Sequence, residues 1–174
     1  MKGFRITKYD PSFRDSEGRY LKDTWTSVSD IGRIFDGNVL TEEDYHRIEQ
    51  LYIDAVVKIA NILKVTTLQI RSLEKTKEYI DQGSWIDIHS NDYRKLFYGL
   101  TEGLCISITE IEYICKLILR EQLWCKLESD KMLVHFGYDF YMYIVISQGD
   151  HEFVRTVIPA ELFIEEMISP YMVN

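Results

Sequence analysis

The stretch LWCKLESDKMLVHFGYDFYMYIVI, Leu123 to Ile146, decides the fold. Leu123, Cys125 and Leu127 alternate with polar neighbours, which is the period of a strand with one face buried. Ser129-Asp130 then reads as a turn, and Met132-Leu133-Val134-His135-Phe136 as the returning strand. Gly137 and Asp139 mark a bend before a third strand over 140–147. That strand is apolar in both registers (Phe140, Met142, Ile144, Ile146 and Tyr141, Tyr143, Val145), so it belongs inside the sheet with both faces covered. Gln148-Gly149-Asp150 turns the chain into a fourth strand over 152–157. Consecutive strands at this spacing predict an antiparallel meander. Pro159 at a first helical turn predicts a short acidic terminal helix over 160–168.

Upstream of the meander the period becomes helical. Thr109-Glu110-Ile111-Glu112 is a capping-box pattern for a helix that turns Ile111, Ile114, Cys115 and Ile118 inward. The preceding run, 104–108, is open between a buried strand and the lead-in to that helix. Asp92 caps a short helix that Gly99 stops. Thr41 opens the clearest element, with Glu42, Glu43 and Asp44 placed to complement the helix dipole. Tyr45, Ile48, Tyr52, Ala55, Ile59 and Ile62 follow at spacings of three and four. A second row, Leu51, Val56, Ala60 and Leu63, widens the apolar face into that of a two-sided core helix of about 23 residues. Strands are predicted over 4–9, 65–73 and 84–88, and a short helix from Ser29 or Asp30 to Phe35, stopped by Gly37-Asn38. Residues 12–27 read as a long ordered loop. Trp25 within it either pins the loop to the core or is presented to a partner. The expected architecture is α+β: one domain over 1–174, an N-terminal helical part with one long core helix, a C-terminal meander and a short terminal helix.

The composition narrows the function. The 174 residues are 46% hydrophobic and 28% charged, the mix of a globular domain. A chain of this length buries about two thirds of its unfolded surface and needs no metal or disulfide to fold. Twenty basic against 28 acidic residues give a formal charge of −8, which argues against nucleic acid as the partner. Met1-Lys2-Gly3-Phe4-Arg5 contains no apolar signal region, and no run is long enough for a membrane helix. The three cysteines, Cys105, Cys115 and Cys125, form no C-x-x-C pair and read as free thiols of a cytoplasmic protein. Gly99 and Gly103 build no phosphate-binding loop, so no cofactor is expected. His46 beside Glu42-Glu43-Asp44 reads as a solvated helix start rather than a metal site. His89 and His151 fall near turns.

Two features bear on chemistry. His135 and Asp139, on one strand face, or His135 with Cys125 on a neighbouring strand, would be an acid–base pair for a small enzyme. No nucleophile motif accompanies them, and no catalytic residue is assigned. The other feature is charge and aromatic content. Five acids, Asp150, Glu152, Glu161, Glu165 and Glu166, stand against one base, Arg155, over 150–174, whereas the first 23 residues carry six bases and four acids. Tyr138-Asp139-Phe140-Tyr141-Met142-Tyr143 concentrates aromatics beside a carboxylate, the composition of a protein–protein hot spot. The expected partner-binding residues are therefore Asp139, Tyr141, Asp150, Glu152, Glu161, Glu165 and Glu166.

Several blocks together look like those of an uncharacterised bacterial family of small cytoplasmic proteins. They are Lys8-Tyr9-Asp10-Pro11, Trp25-Thr26-Ser27-Val28-Ser29-Asp30-Ile31-Gly32, Leu119-Arg120-Glu121, Trp124-Cys125-Lys126-Leu127 and the run from Val134 to Ile144. They lie toward the two ends of the chain and leave residues 38–100 uncovered. That family resembles the immunity proteins of contact-dependent growth inhibition and related polymorphic toxin systems. The resemblance implies a role in binding and blocking a cognate toxin domain, commonly a nuclease. It implies no individual toxin contact.

Overall fold

In chain order the elements are β1 (Lys2–Thr7), the hairpin strands β2 (Ile34–Phe35) and β3 (Asn38–Val39), the helix α1 (Glu42–Ile62), β4 (Thr67–Lys75), α2 (Ser90–Gly99), β5 (Cys105–Ser107) and α3 (Ile111–Leu119). They continue with β6 (Leu123–Glu128), β7 (Met132–Phe136), β8 (Tyr141–Ile146), α4 (Phe153–Val157) and β9 (Phe163–Glu166). This computed structural model describes residues 1–78, 90–147, 151–167 and 169. The fold is α+β. Seven described strands form one antiparallel sheet in the order β5-β4-β6-β7-β8-β1-β9.

The period-two reading of 123–146 holds. Leu127 stands opposite Val134, Val134 opposite Ile144, and Ile144 opposite Phe4, so one apolar row crosses four strands. β8 lies between β7 and β1 and is buried from Met142 to Ile146. The same register puts Lys126, His135, Tyr143 and Arg5 in a row on the opposite face. The apolar face joins α1 and α3 in one continuous core.

Thr41 caps α1 as expected, its hydroxyl accepting from the Asp44 amide at 3.1 Å. Tyr45, Tyr52, Ala55 and Ile59 are buried, whereas Ile62 in the last turn is exposed. Glu49 shares the buried face and pairs with Arg120, just past α3, through Nε–Oε1 at 2.8 Å and Nη2–Oε2 at 2.7 Å. The run at 104–108 resolves as strand β5. α3 begins without the expected Thr109 cap: its N-cap is Glu110, whose carboxylate accepts from the Ser107 amide in the preceding turn.

Three expectations are corrected. Residues 30–35 are not a helix. Ser27 and Asp30 close a capping box around one 3-10 turn, Val28–Asp30, and the chain then forms the β2–β3 hairpin. Its loop, Asp36-Gly37, takes φ of 49° and 80°, the left-handed pair that a two-residue hairpin needs. The expected fourth strand over 152–157 is α4, because both edges of β8 are already taken by β7 and β1. The expected terminal helix over 160–168 is the strand β9, which covers the outer edge of β1, with Arg5 opposite Glu165. The strand expected over 84–88 lies outside the described residues, as do His89 and Asp150. No helix among the described residues is long and apolar enough to cross a membrane.

Candidate functional site

Most of the carboxylates expected at a partner surface are turned toward bases of the same chain. Glu165 accepts from Arg5 Nε and Nη2 at 3.1 and 2.9 Å and from Arg14 Nη1 at 2.7 Å. Burial alone would raise its pKa, but Arg14 and Arg5 outweigh that and hold it below the ordinary glutamate value. Glu166 pairs with Lys2 at 2.8 Å and Arg155 at 3.0 Å, Glu152 with Lys2 at 3.8 Å, and Glu161 with Arg47 at 3.3 Å. The acidic end of the sequence therefore complements its basic beginning, because β9 lies beside β1. Tyr141 is half-buried, its ring 5.3 Å from that of Tyr9 and beneath the Arg5 guanidinium at 5.2 Å.

Asp139 has a different environment. It sits in the tight turn between β7 and β8, where the Tyr138 carbonyl accepts from the Tyr141 amide. Asp139 and Phe140 both have φ of 58°, a conformation that costs a non-glycine residue about 1–2 kcal/mol. Packing from below compensates. The Phe140 ring meets Trp25 edge-on at 4.9 Å, Tyr45 at 5.7 Å and Tyr52 at 5.6 Å, and its carbonyl accepts from the Tyr52 hydroxyl at 2.7 Å. Trp25 is thus a buried anchor of its loop. Above the turn, Tyr138 is 81% exposed.

This turn forms one wall of a cleft of about 440 Å³ lined by Glu74, Glu121, Trp124, Phe136, Tyr138 and Asp139, among others. Glu121 follows α3 at φ 59°. Its carboxyl titrates above the ordinary range, through burial first and then the nearby charges of Asp30 and Asp139. Lys75 also lines the cleft but directs its ammonium to the Phe97 and Leu100 carbonyls, each at 3.0 Å. Among the described residues, no cation pairs with Glu74, Glu121 or Asp139. Of these acids the sequence pattern points only to Asp139, through the aromatic run around it. Glu74 and Glu121 are solitary acids in the sequence, and only the pairing of β4 with β6 brings them together.

A neighbouring cleft of about 360 Å³ includes Lys8. Its ammonium lies 3.9 Å from the Trp25 ring centroid and 4.3 Å from that of Tyr9, and donates to the Trp25 carbonyl at 2.6 Å. Burial pulls this amine down to about 7 against the opposing influence of Asp30 and Asp139.

The histidine pairs considered above do not form. His135 is fully buried on the face opposite the helices, stacked on Tyr143 at 5.0 Å and bonded to Ser169. Asp139 is exposed in the turn. Cys125, next to Lys126 in β6, points to the other side of the sheet from His135. Burial pushes the Cys125 thiol up to about 12 and raises Cys115 further, whereas Cys105 on β5 is exposed. The folded protein should therefore titrate one thiol with an aromatic disulfide reagent at pH 8, and three after denaturation. Rapid native labelling at Cys125, located by peptide mapping, would contradict this packing. Among the described residues, no group of three or more His, Cys, Asp or Glu side chains is placed to hold a metal ion.

No family model, curated protein or solved structure matches this chain.

Proposed function

We propose that this chain is an immunity protein, which binds and neutralises a cognate bacterial toxin domain, such as a nuclease, in the cytoplasm. The observation that carries the reading is the cleft at the β7–β8 turn. There an exposed tyrosine stands beside carboxylates that no cation of the described residues pairs, above a turn held rigid by buried aromatics. A rigid aromatic with a polar tip supplies contact area at small entropic cost. Acids that no cation among the described residues pairs, on a chain of net charge −8, steer a basic surface toward it. Asp139 is kept from the acidic set read in the sequence. Glu121, Glu74, Tyr138 and Trp124 join it, and Glu152, Glu161, Glu165 and Glu166 are assigned to holding β9 and its neighbours. Burial of roughly 1,600 Å² in total would be ordinary for such a complex.

Affinity capture from the source cells tests the reading, with Glu121→Lys/Asp139→Lys and Glu161→Lys variants run beside the wild type. The expected result is a basic protein domain that is retained at low salt and released by moderate salt. It should be lost from the cleft variant and kept by the Glu161 variant. Expressed alone the captured domain should be toxic, and co-expression of this chain should relieve that toxicity. A captured protein that binds the folded cleft variant equally well, or that is harmless, overturns the proposal.

A further inference from the structure

Lys2, Lys95 and Lys116 each turn their ammonium to a carboxylate. Lys8 does not. Its nitrogen donates to the Trp25 carbonyl at 2.6 Å and to the Thr24 hydroxyl at 3.3 Å, and the Trp25 and Tyr9 rings flank it. Among the described residues, no carboxylate lies within ion-pair distance of it. The two hydrogen bonds use both hydrogens of a neutral amine and leave its lone pair over. Burial brings this amine down to about 7 in spite of Asp30 and Asp139, so a large share of it is neutral near pH 7. A desolvated lysine beside aromatic walls is the form in which an amine attacks a carbonyl group.

The amine also has a cavity beside it. Lys8 is half-buried, and together with Thr24 and Trp25, which hold its nitrogen, it lines the cleft of about 360 Å³. That volume falls in the range of small-molecule sites. Tyr20, Trp25, Phe35 and Ile48 give the cleft apolar walls. Arg47 and Glu161 also line it and pair with each other, which leaves Asp23, Asp36 and Asp44 against Lys22 once the Lys8 amine is neutral. That balance disfavours an anionic ligand. We propose that Lys8 is a covalent capture site for an uncharged aldehyde with an apolar body, which enters this cleft and is held as an imine. The Nζ lone pair forms the C–N bond, both amine hydrogens pass to the carbonyl oxygen, and that oxygen departs as water. Nothing is oxidised or reduced. The site is separate from the acidic cleft and does not rest on the toxin reading.

The test incubates the full chain with limiting benzaldehyde at pH 7 and cyanoborohydride, which reduces an imine to a stable secondary amine, and locates the adducts by peptide mapping. Exposed Lys58 on α1 is the internal reference. Lys8 should be labelled roughly tenfold faster than Lys58 or more, because the neutral amine is the reacting form. Benzyl alcohol has the same ring and no carbonyl, so it should slow labelling at Lys8 and leave Lys58 unchanged. With the para-carboxylate of benzaldehyde as the probe, the ratio of Lys8 to Lys58 labelling should fall. Labelling of Lys8 no faster than that of Lys58, or undiminished by benzyl alcohol, overturns the site. A ratio that holds or rises with the carboxylate probe overturns the assignment to an uncharged ligand.

Discussion

Replacing Glu49 with alanine should destabilise the protein by about 3–5 kcal/mol, measured by urea unfolding at pH 7. Glu49 is 1% and Arg120 4% exposed, and the two are joined by a bidentate pair between α1 and the end of α3. Removing one partner leaves a buried charge without its counter-ion, which costs far more than the pair itself contributes. The double variant Glu49→Leu/Arg120→Met should recover most of the loss, because apolar groups of similar volume remove both desolvation penalties together. A Glu49→Ala protein within 1 kcal/mol of wild type would show that Arg120 finds another acceptor or reaches water.

The second large effect is a loss of stability in acid. Burial lowers the His135 imidazole from its ordinary value to about 4. In the unfolded chain it titrates near 6.5, so between pH 6.5 and 4 the unfolded state binds more protons than the folded one. Stability carried by neutral His135 is therefore complete above about pH 6.5 and is lost as the pH falls through 4. The total is about 3 kcal/mol. Urea midpoints measured between pH 7 and 4 should fall steeply for the wild type, and with a shallower slope for His135→Asn. Equal slopes would mean that the folded protein accepts the proton on His135 without penalty. The comparison rests on the difference in slope, since carboxylates such as Glu165 titrate in both proteins.

Local signals were legible and distant ones were not. The cap at Thr41 and the apolar spacing that follows are written within one turn of each other, and α1 forms there. The meander is equally local, each strand pairing with the next through a short turn. The run AELFIEE at 160–166 favours a helix by composition, yet Phe163–Glu166 pairs with β1 from the other end of the sequence. That tertiary edge outweighs a weak local propensity. Asp36-Gly37 was legible as a hairpin signal, but it reads equally as a helix stop when 30–35 is taken for a helix. For the site, the aromatic run at 138–143 points to Asp139. The charge of 150–174, taken alone, points outward, and only the position of β9 shows that it faces Arg5, Arg14 and Lys2.

The place of β1 between β8 and β9 also sets the order in which the sheet can be assembled. Thr7 stands opposite Tyr141 on one side and Phe163 on the other. A ribosome releases β1 long before either neighbour exists, so its apolar residues Phe4 and Ile6 must wait through most of synthesis without a strand to pair with. The meander and α1 can form early from nearby contacts, and the N-terminal strand then closes the largest loop in the chain. During that wait its exposed edge is the segment most open to pairing with another chain. Lys2, Arg5 and Lys8 flank those apolar residues with positive charge, which opposes the stacking of identical copies until β9 arrives with the opposite sign.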